Sequence, residues 1–232
     1  MVQTPVSHLD LYPDSDGQPM AENTIQYRWI VRLVSNLKRL FAGQNVFVAG
    51  DLLWYPVQVQ APPVPAQAPD AMVVFGRPPG DRGSYKQWQE DDIAPQVVFE
   101  ILSPSNTRRE IFAKQTFYQQ YGVLEMFFYD PDSRDFWGFV RETPEQEFSL
   151  ITPLNLPWTS PLLQIRFDLG GDELRVFHPN GEPFQDPEEV MAERERIQRD
   201  LEQVQQNLEQ MQQERDRALA KLRELGIDPN EL

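Results

Sequence analysis

The run "PQVVFEILSPSN", residues 95–106, decides how the rest of the chain is read. From Val97 to Leu102 five of six residues are apolar, mostly β-branched or aromatic, which predicts a buried strand. The sixth is Glu100. In a strand, Val98, Glu100 and Leu102 share one face, and Val97, Phe99 and Ile101 share the other. A carboxylate flanked by apolar groups on its own face needs compensation, since an unpaired buried charge costs several kcal/mol or more. A cation, a metal ion or a strand end open to water would each supply it.

Working outward, "DAMVVFG" (70–76) predicts a second strand, with Asp70 at its entry directly after Pro69. "VFVAG" (46–50) and "LLWYPV" (52–57) are further strand candidates. Before them, "ENTIQYRWIVRLVSNLKRLFAG" repeats its apolar residues every three or four positions, with Asn23 or Thr24 to cap a helix and Gly43 beyond its end. After residue 106, "TRREIFAKQTFYQQYG" predicts a second helix, with Thr107 and Glu110 at capping-box spacing and Gly122 as a stop. Strand candidates follow in "EMFFYDP" and at 136–141, 147–152, 162–167 and 173–177. Strands interrupted by a crossing helix predict an α/β domain over 1–185, with a mixed sheet flanked by helices.

From residue 186 the composition changes. Val190, Ile197, Leu201, Val204, Leu208, Met211, Ala218, Leu222 and Leu225 follow a 4-3 spacing broken only by Arg194 and Arg215. Sustained heptads predict a coiled-coil helix over 186–225, with a tail at 226–232. Such a stripe pairs with a copy of itself, giving a homo-oligomer through 190–225, or folds back on the domain.

The net charge is −15, divided as −9 over 1–185 and −6 over 186–232, so bulk charge gives no support to nucleic-acid binding. There is no cysteine, and the two histidines, His8 and His178, are far apart, which argues against a zinc site. No signal peptide is visible and the apolar runs are too short to span a bilayer, so the expectation is a cytoplasmic protein without a membrane partner.

Three residues gain force together. Asp70 and Glu100 on neighbouring strands suit Mg²⁺, which takes oxygen ligands and few protein carboxylates. The Ile101 backbone carbonyl is a further candidate ligand. Lys114 lies on the inward stripe of the second helix, where a lysine seeks a carboxylate; the competing reading is a solvated i,i+4 pair with Glu110. Read singly, Asp70 is also a turn residue and Glu22 a helix-cap residue. An ammonium beside a metal ion can orient a water for attack on a phosphodiester.

"APDAMVVF", "PQVVFEILSPSN" and "REIFAKQTFYQQYGVLEMFFYDP" together resemble the bacterial Uma-type restriction endonuclease family, of the PD-(D/E)XK superfamily. "DGQPMAEN" and "IRFDLGGDELRVFHPNGEPF" resemble its flanking segments. The resemblance implies a restriction-endonuclease-like core hydrolysing DNA with Mg²⁺ or Mn²⁺. It maps the two acids onto Asp70 and Glu100, and Glu22 or Gln26 onto an upstream helix position. It also implies a lysine two residues after the second acid, where this chain has Leu102. Lys114 is the candidate to fill that gap. The alternative is an inactive nuclease fold serving as an assembly or regulatory module, oligomerised by its coiled coil. For DNA contact the candidates are Arg77, Arg82 and Lys86, beside Tyr85 and Trp88 in "GRPPGDRGSYKQWQ", and Arg108 and Arg109 by the site. The competing reading of that loop is a mobile polar insert.

Overall fold

The computed structural model describes residues 11–224 except 16, 18 and 172 and the side chains of 222 and 223. His8 and the expected tail at 226–232 lie outside the described residues, as does the last heptad position, Leu225. The chain forms two units that divide between Asp186 and Pro187.

The first unit is built on a six-stranded sheet. In chain order its strands are β1 (Val46–Ala49), β3 (Ala71–Phe75), β5 (Val97–Ile101), β6 (Glu125–Asp130), β7 (Asp135–Val140) and β8 (Ser149–Ile151). They lie side by side in that same order, and every pairing is antiparallel except β5 with β6. The parallel pair needs a crossover, and α2 (Arg108–Gln120) provides it. The expected mixed sheet flanked by helices is therefore what forms.

Both faces are covered, which explains why β5 is buried along its whole length rather than alternating with solvent. Val97, Phe99 and Ile101 pack with Trp29, Ile30, Leu33 and Leu37 of α1 (Thr24–Leu40). Val98 and Leu102 pack with Met72, Phe128 and Tyr118 on the α2 side. Asn23 caps α1 by accepting from the Gln26 N–H, and Thr107 and Glu110 close the expected capping box on α2. Arg32 on α1 holds Asp186 at 2.7 Å, tying down the end of the unit.

Differences from expectation gather in short elements. The run at 52–57 yields only β2 (Trp54–Tyr55), which leaves the main sheet and pairs in parallel with β4 (Tyr85–Lys86). β4 lies inside the stretch read as a polar insert, where Tyr85 is fully buried and donates to the Ile93 carbonyl. The run at 162–167 becomes β10 (Arg166–Asp168), shifted toward its end, between β9 (Trp158–Thr159) and β11 (Arg175–Phe177). Leu163 and Ile165 are buried without strand pairing, so apolar character alone misplaced that start.

The second unit contains α3 (Pro187–Glu224), one helix. Among the described residues no helix is long and apolar enough to cross a membrane.

Candidate active site

Strand pairing brings the two acids together. β3 and β5 pair Met72 with Val98 and Ala71 with Phe99. Continuing that register by one residue sets Asp70 opposite Glu100. Their alternation partners, Met72 and Val98, pack on the α2 side, so both carboxylates belong to that face. Gly50 makes room for this approach: a Cβ there would lie 2.7 Å from Val34 Cγ2 and 3.0 Å from the Asp70 carbonyl oxygen. The next residue, Asp51, donates its N–H to the Pro69 carbonyl at 3.0 Å.

Glu100 is 1% exposed, and α2 supplies what compensates it. Lys114 Nζ lies 2.5 Å from Glu100 Oε2, and the Tyr118 hydroxyl donates to Oε1. Lys114 and Tyr118 are four residues apart, one above the other on the helix. The i,i+4 pair of Lys114 with Glu110 does not form, because the Glu110 carboxylate accepts from the Thr107 N–H at 2.8 Å. Leu102, where a lysine was expected from the resemblance, is buried among apolar groups on the same face.

A second line of bonds joins the start of α1 to the end of β5. Asp70 Oδ2 accepts from the Ile101 N–H at 2.6 Å. The Ile101 carbonyl accepts from Gln26 Nε2 at 2.8 Å, and Gln26 Oε1 accepts from the Glu22 N–H at 2.9 Å. The Glu22 carboxylate accepts from the hydroxyls of Ser103, at 2.5 Å, and Ser105. Glu22 therefore does not cap α1; Asn23 does. Those two hydroxyls hold the Glu22 carboxyl below its ordinary pKa.

Burial is the main cause that pushes the Asp70 carboxyl well above the ordinary aspartate range. The negative charge of Glu100 adds to it, Asp51 adds a little more, and Lys114 opposes. For Lys114, burial acts to lower the pKa, but Glu100 and Asp70 outweigh it and hold the ammonium above its usual value. Burial and Glu100 likewise push the Tyr118 phenol well up, so it stays a donor.

No group of three or more His, Asp or Glu that could hold a metal exists among the described residues. The donor set nonetheless fits a hard cation. Two carboxylates meet one ammonium, every donor is oxygen, and the Ile101 carbonyl keeps a second lone pair beside its bond from Gln26.

The candidates for DNA contact divide. Arg77 and Arg82 both donate to Glu90, at 2.8 and 2.6 Å, and Arg82 also lies over the Phe47 ring. Tyr85 is buried and so is not placed to stack on a base, and Trp88 packs on Tyr12. Lys86 is half-buried. Arg108 and Arg109 are exposed in the first turn of α2, the helix that carries Lys114.

Sequence reasoning placed Tyr118 on the inward stripe without giving it a partner. It gave no role to Ser103, Ser105 or Asp51. The two serines stand in "SPSN", directly after the glutamate strand, which is the one signal that pointed to them.

The sequence profile of the Uma2 family, described as "Putative restriction endonuclease", matches residues 15–170. A crystal structure from Anabaena variabilis, of "a putative nuclease belonging to DUF820", is similar at 15% identity. The match covers 63% of this chain and 77% of that one, with a TM-score of 0.44. No curated protein matches the chain.

Proposed function

The chain belongs to the Uma2 restriction endonuclease family, and we propose that its first unit hydrolyses DNA phosphodiester bonds with Mg²⁺ or Mn²⁺. The observation that carries this reading is Lys114 on Glu100, opposite Asp70, which supplies from a helix the ammonium that Leu102 cannot.

Asp70 and Glu100 would hold the metal, with the Ile101 carbonyl as a further ligand. When bound, the metal stabilises charge on the phosphate and lowers the pKa of an attacking water. Lys114 keeps its proton, because both acids raise its pKa. It therefore acts as a donor that orients the water and balances charge at the phosphate, rather than as the base. Tyr118 fixes the rotation of the Glu100 carboxylate. Gln26 and the Glu22 cluster fix the backbone at Ile101, and Arg108 and Arg109 meet the phosphates flanking the scissile bond.

The test is cleavage of supercoiled, linear duplex and single-stranded DNA with Mg²⁺ or Mn²⁺, beside chelator controls. Asp70→Asn, Glu100→Gln and Lys114→Met should each lower the rate about 100-fold or more. Failure to cut any form with either metal, or unchanged rates in the three variants, would refute the reading.

A further inference from the structure

The apolar stripe of α3 is open from Ile197 to Met211. Ile197 is 57% exposed, Leu201 50%, Val204 63%, Leu208 55% and Met211 67%. The heptad spacing puts Arg194, Leu201, Leu208 and Arg215 at the first core position, a, and Ile197, Val204 and Met211 at the second, d. We propose that this face binds a second copy of the chain as a parallel, in-register, two-stranded coil. The proposal stands whether or not the first unit cuts DNA.

Orientation follows from where the charges fall. In a parallel pair, a faces a, so the arginines are confined to two layers three heptads apart, with apolar layers between. In an antiparallel pair, a faces d, and each arginine enters an apolar layer of the other copy, so four layers carry charge instead of two.

Each seam arginine also follows an acid, as Glu193-Arg194 and Glu214-Arg215. Those acids occupy position g, and in a parallel coil a residue at a packs against the g residue of the other strand. Arg194 thus meets Glu193 of the second copy, and Arg215 meets its Glu214. Arg194 makes no ion pair among the described residues. Among the described residues Arg215 pairs only with adjacent Asp216, an exposed contact that is easily exchanged.

The flanks agree. Parallel pairing sets g against the e residue five positions on, giving Glu193 with Gln198, Asp200 with Gln205 and Asn207 with Gln212. No like charges meet across these flanks. Antiparallel pairing sets g against g, and in the register that overlaps the helices fully Asp200 faces Glu214.

Leucine at a with β-branched residues at d, taken alone, leans toward three or four strands. The arginines oppose this, because a guanidinium at a needs a way out to water. Two strands leave that way open past g, and additional strands enclose it.

The full-length chain tests all of this. Light scattering should give twice the 27.0 kDa of one chain. The chain has no cysteine, so single substitutions report orientation directly. Leu201→Cys should cross-link on oxidation, while Ala192→Cys on the outer face should not. Glu193→Arg with Glu214→Arg should shift the mass toward one chain. Adding Arg194→Glu and Arg215→Glu, which exchanges the charges, should restore it. A one-chain mass, a mass above two chains, or cross-linking that does not distinguish the two cysteines overturns the proposal. So does a charge reversal that leaves the mass unchanged.

Discussion

The Lys114 ammonium lies 2.5 Å from Glu100 although the two residues sit on different elements, a helix and a strand, 14 positions apart. Glu100 is fixed by the sheet and Lys114 by the face of α2. Their meeting therefore depends on how the helix docks on the strands, and substitutions at this point test both stability and chemistry.

Lys114→Met removes a cation that faces two buried acids. Breaking such a pair costs about 3–5 kcal/mol, because the remaining charge stays uncompensated. The denaturant midpoint should fall accordingly. Combining it with Glu100→Gln should recover much of that loss, and a double variant no more stable than Lys114→Met would contradict the pairing.

Tyr118→Phe leaves the packing volume almost unchanged but takes one donor from Glu100. A buried acceptor left without its partner costs about 1–3 kcal/mol. Equilibrium unfolding in urea reads this directly. A variant as stable as the parent would mean that the hydroxyl contributes nothing to holding the carboxylate.

Asp70 gives a pH dependence with a definite sign. Its carboxyl sits well above the ordinary aspartate value of 3.8 in the folded state, chiefly through burial and then through Glu100. Over the window between 3.8 and that raised value, the folded chain holds a proton that the unfolded chain has released. Stability from this group is present at acid pH and is lost as pH rises through the window. Asp70→Asn, which keeps an acceptor for the Ile101 N–H, should flatten the profile and unfold at higher temperature than the parent at neutral pH without metal. Parallel profiles in thermal melts would contradict this.

Gly50→Ala tests the close approach behind Asp70. The added methyl meets Val34 and the Asp70 backbone at distances that force a shift. The expected cost is about 1–3 kcal/mol, the usual range for overpacking. Cleavage should slow as well, since the strand entry carrying Asp70 must move. Normal stability and rate together would show that the backbone there is free to adjust.

The main layers were legible because periodicity reports burial directly. β5 reads as a buried strand and α1 as an amphipathic helix from spacing alone. The acids at Asp70 and Glu100, and the lysine on the inward stripe, were also visible as residue types in unusual places. The bonds were not. That Lys114 chooses Glu100 over Glu110 depends on the capping box occupying Glu110 and on a register between distant strands. β4 and β9 are two residues each, too short to carry a period, and exist through partners far along the chain. Arg77 and Arg82 read as free basic residues because Glu90, which holds both, stands 13 and 8 positions away across a turn.

The placement of Lys114 on α2 also bears on the order in which the site comes apart. Asp70 and Glu100 are held by the ladder between β3 and β5, in the interior of the sheet. The ammonium and the phenol arrive together on one helix of 13 residues. An excursion that lifts α2 would strip both from Glu100 while leaving the strands paired. Local openings of this kind need less free energy than global unfolding. In native-state hydrogen exchange, the α2 amides should exchange before those of β5, and Glu100→Gln, which weakens the Lys114 and Tyr118 bonds that hold the helix to the strand, should speed α2 exchange further while β5 keeps its protection. Access to the active arrangement is then governed by a single helix–sheet docking equilibrium, a point at which a partner or a ligand could turn the site on or off without touching either acid.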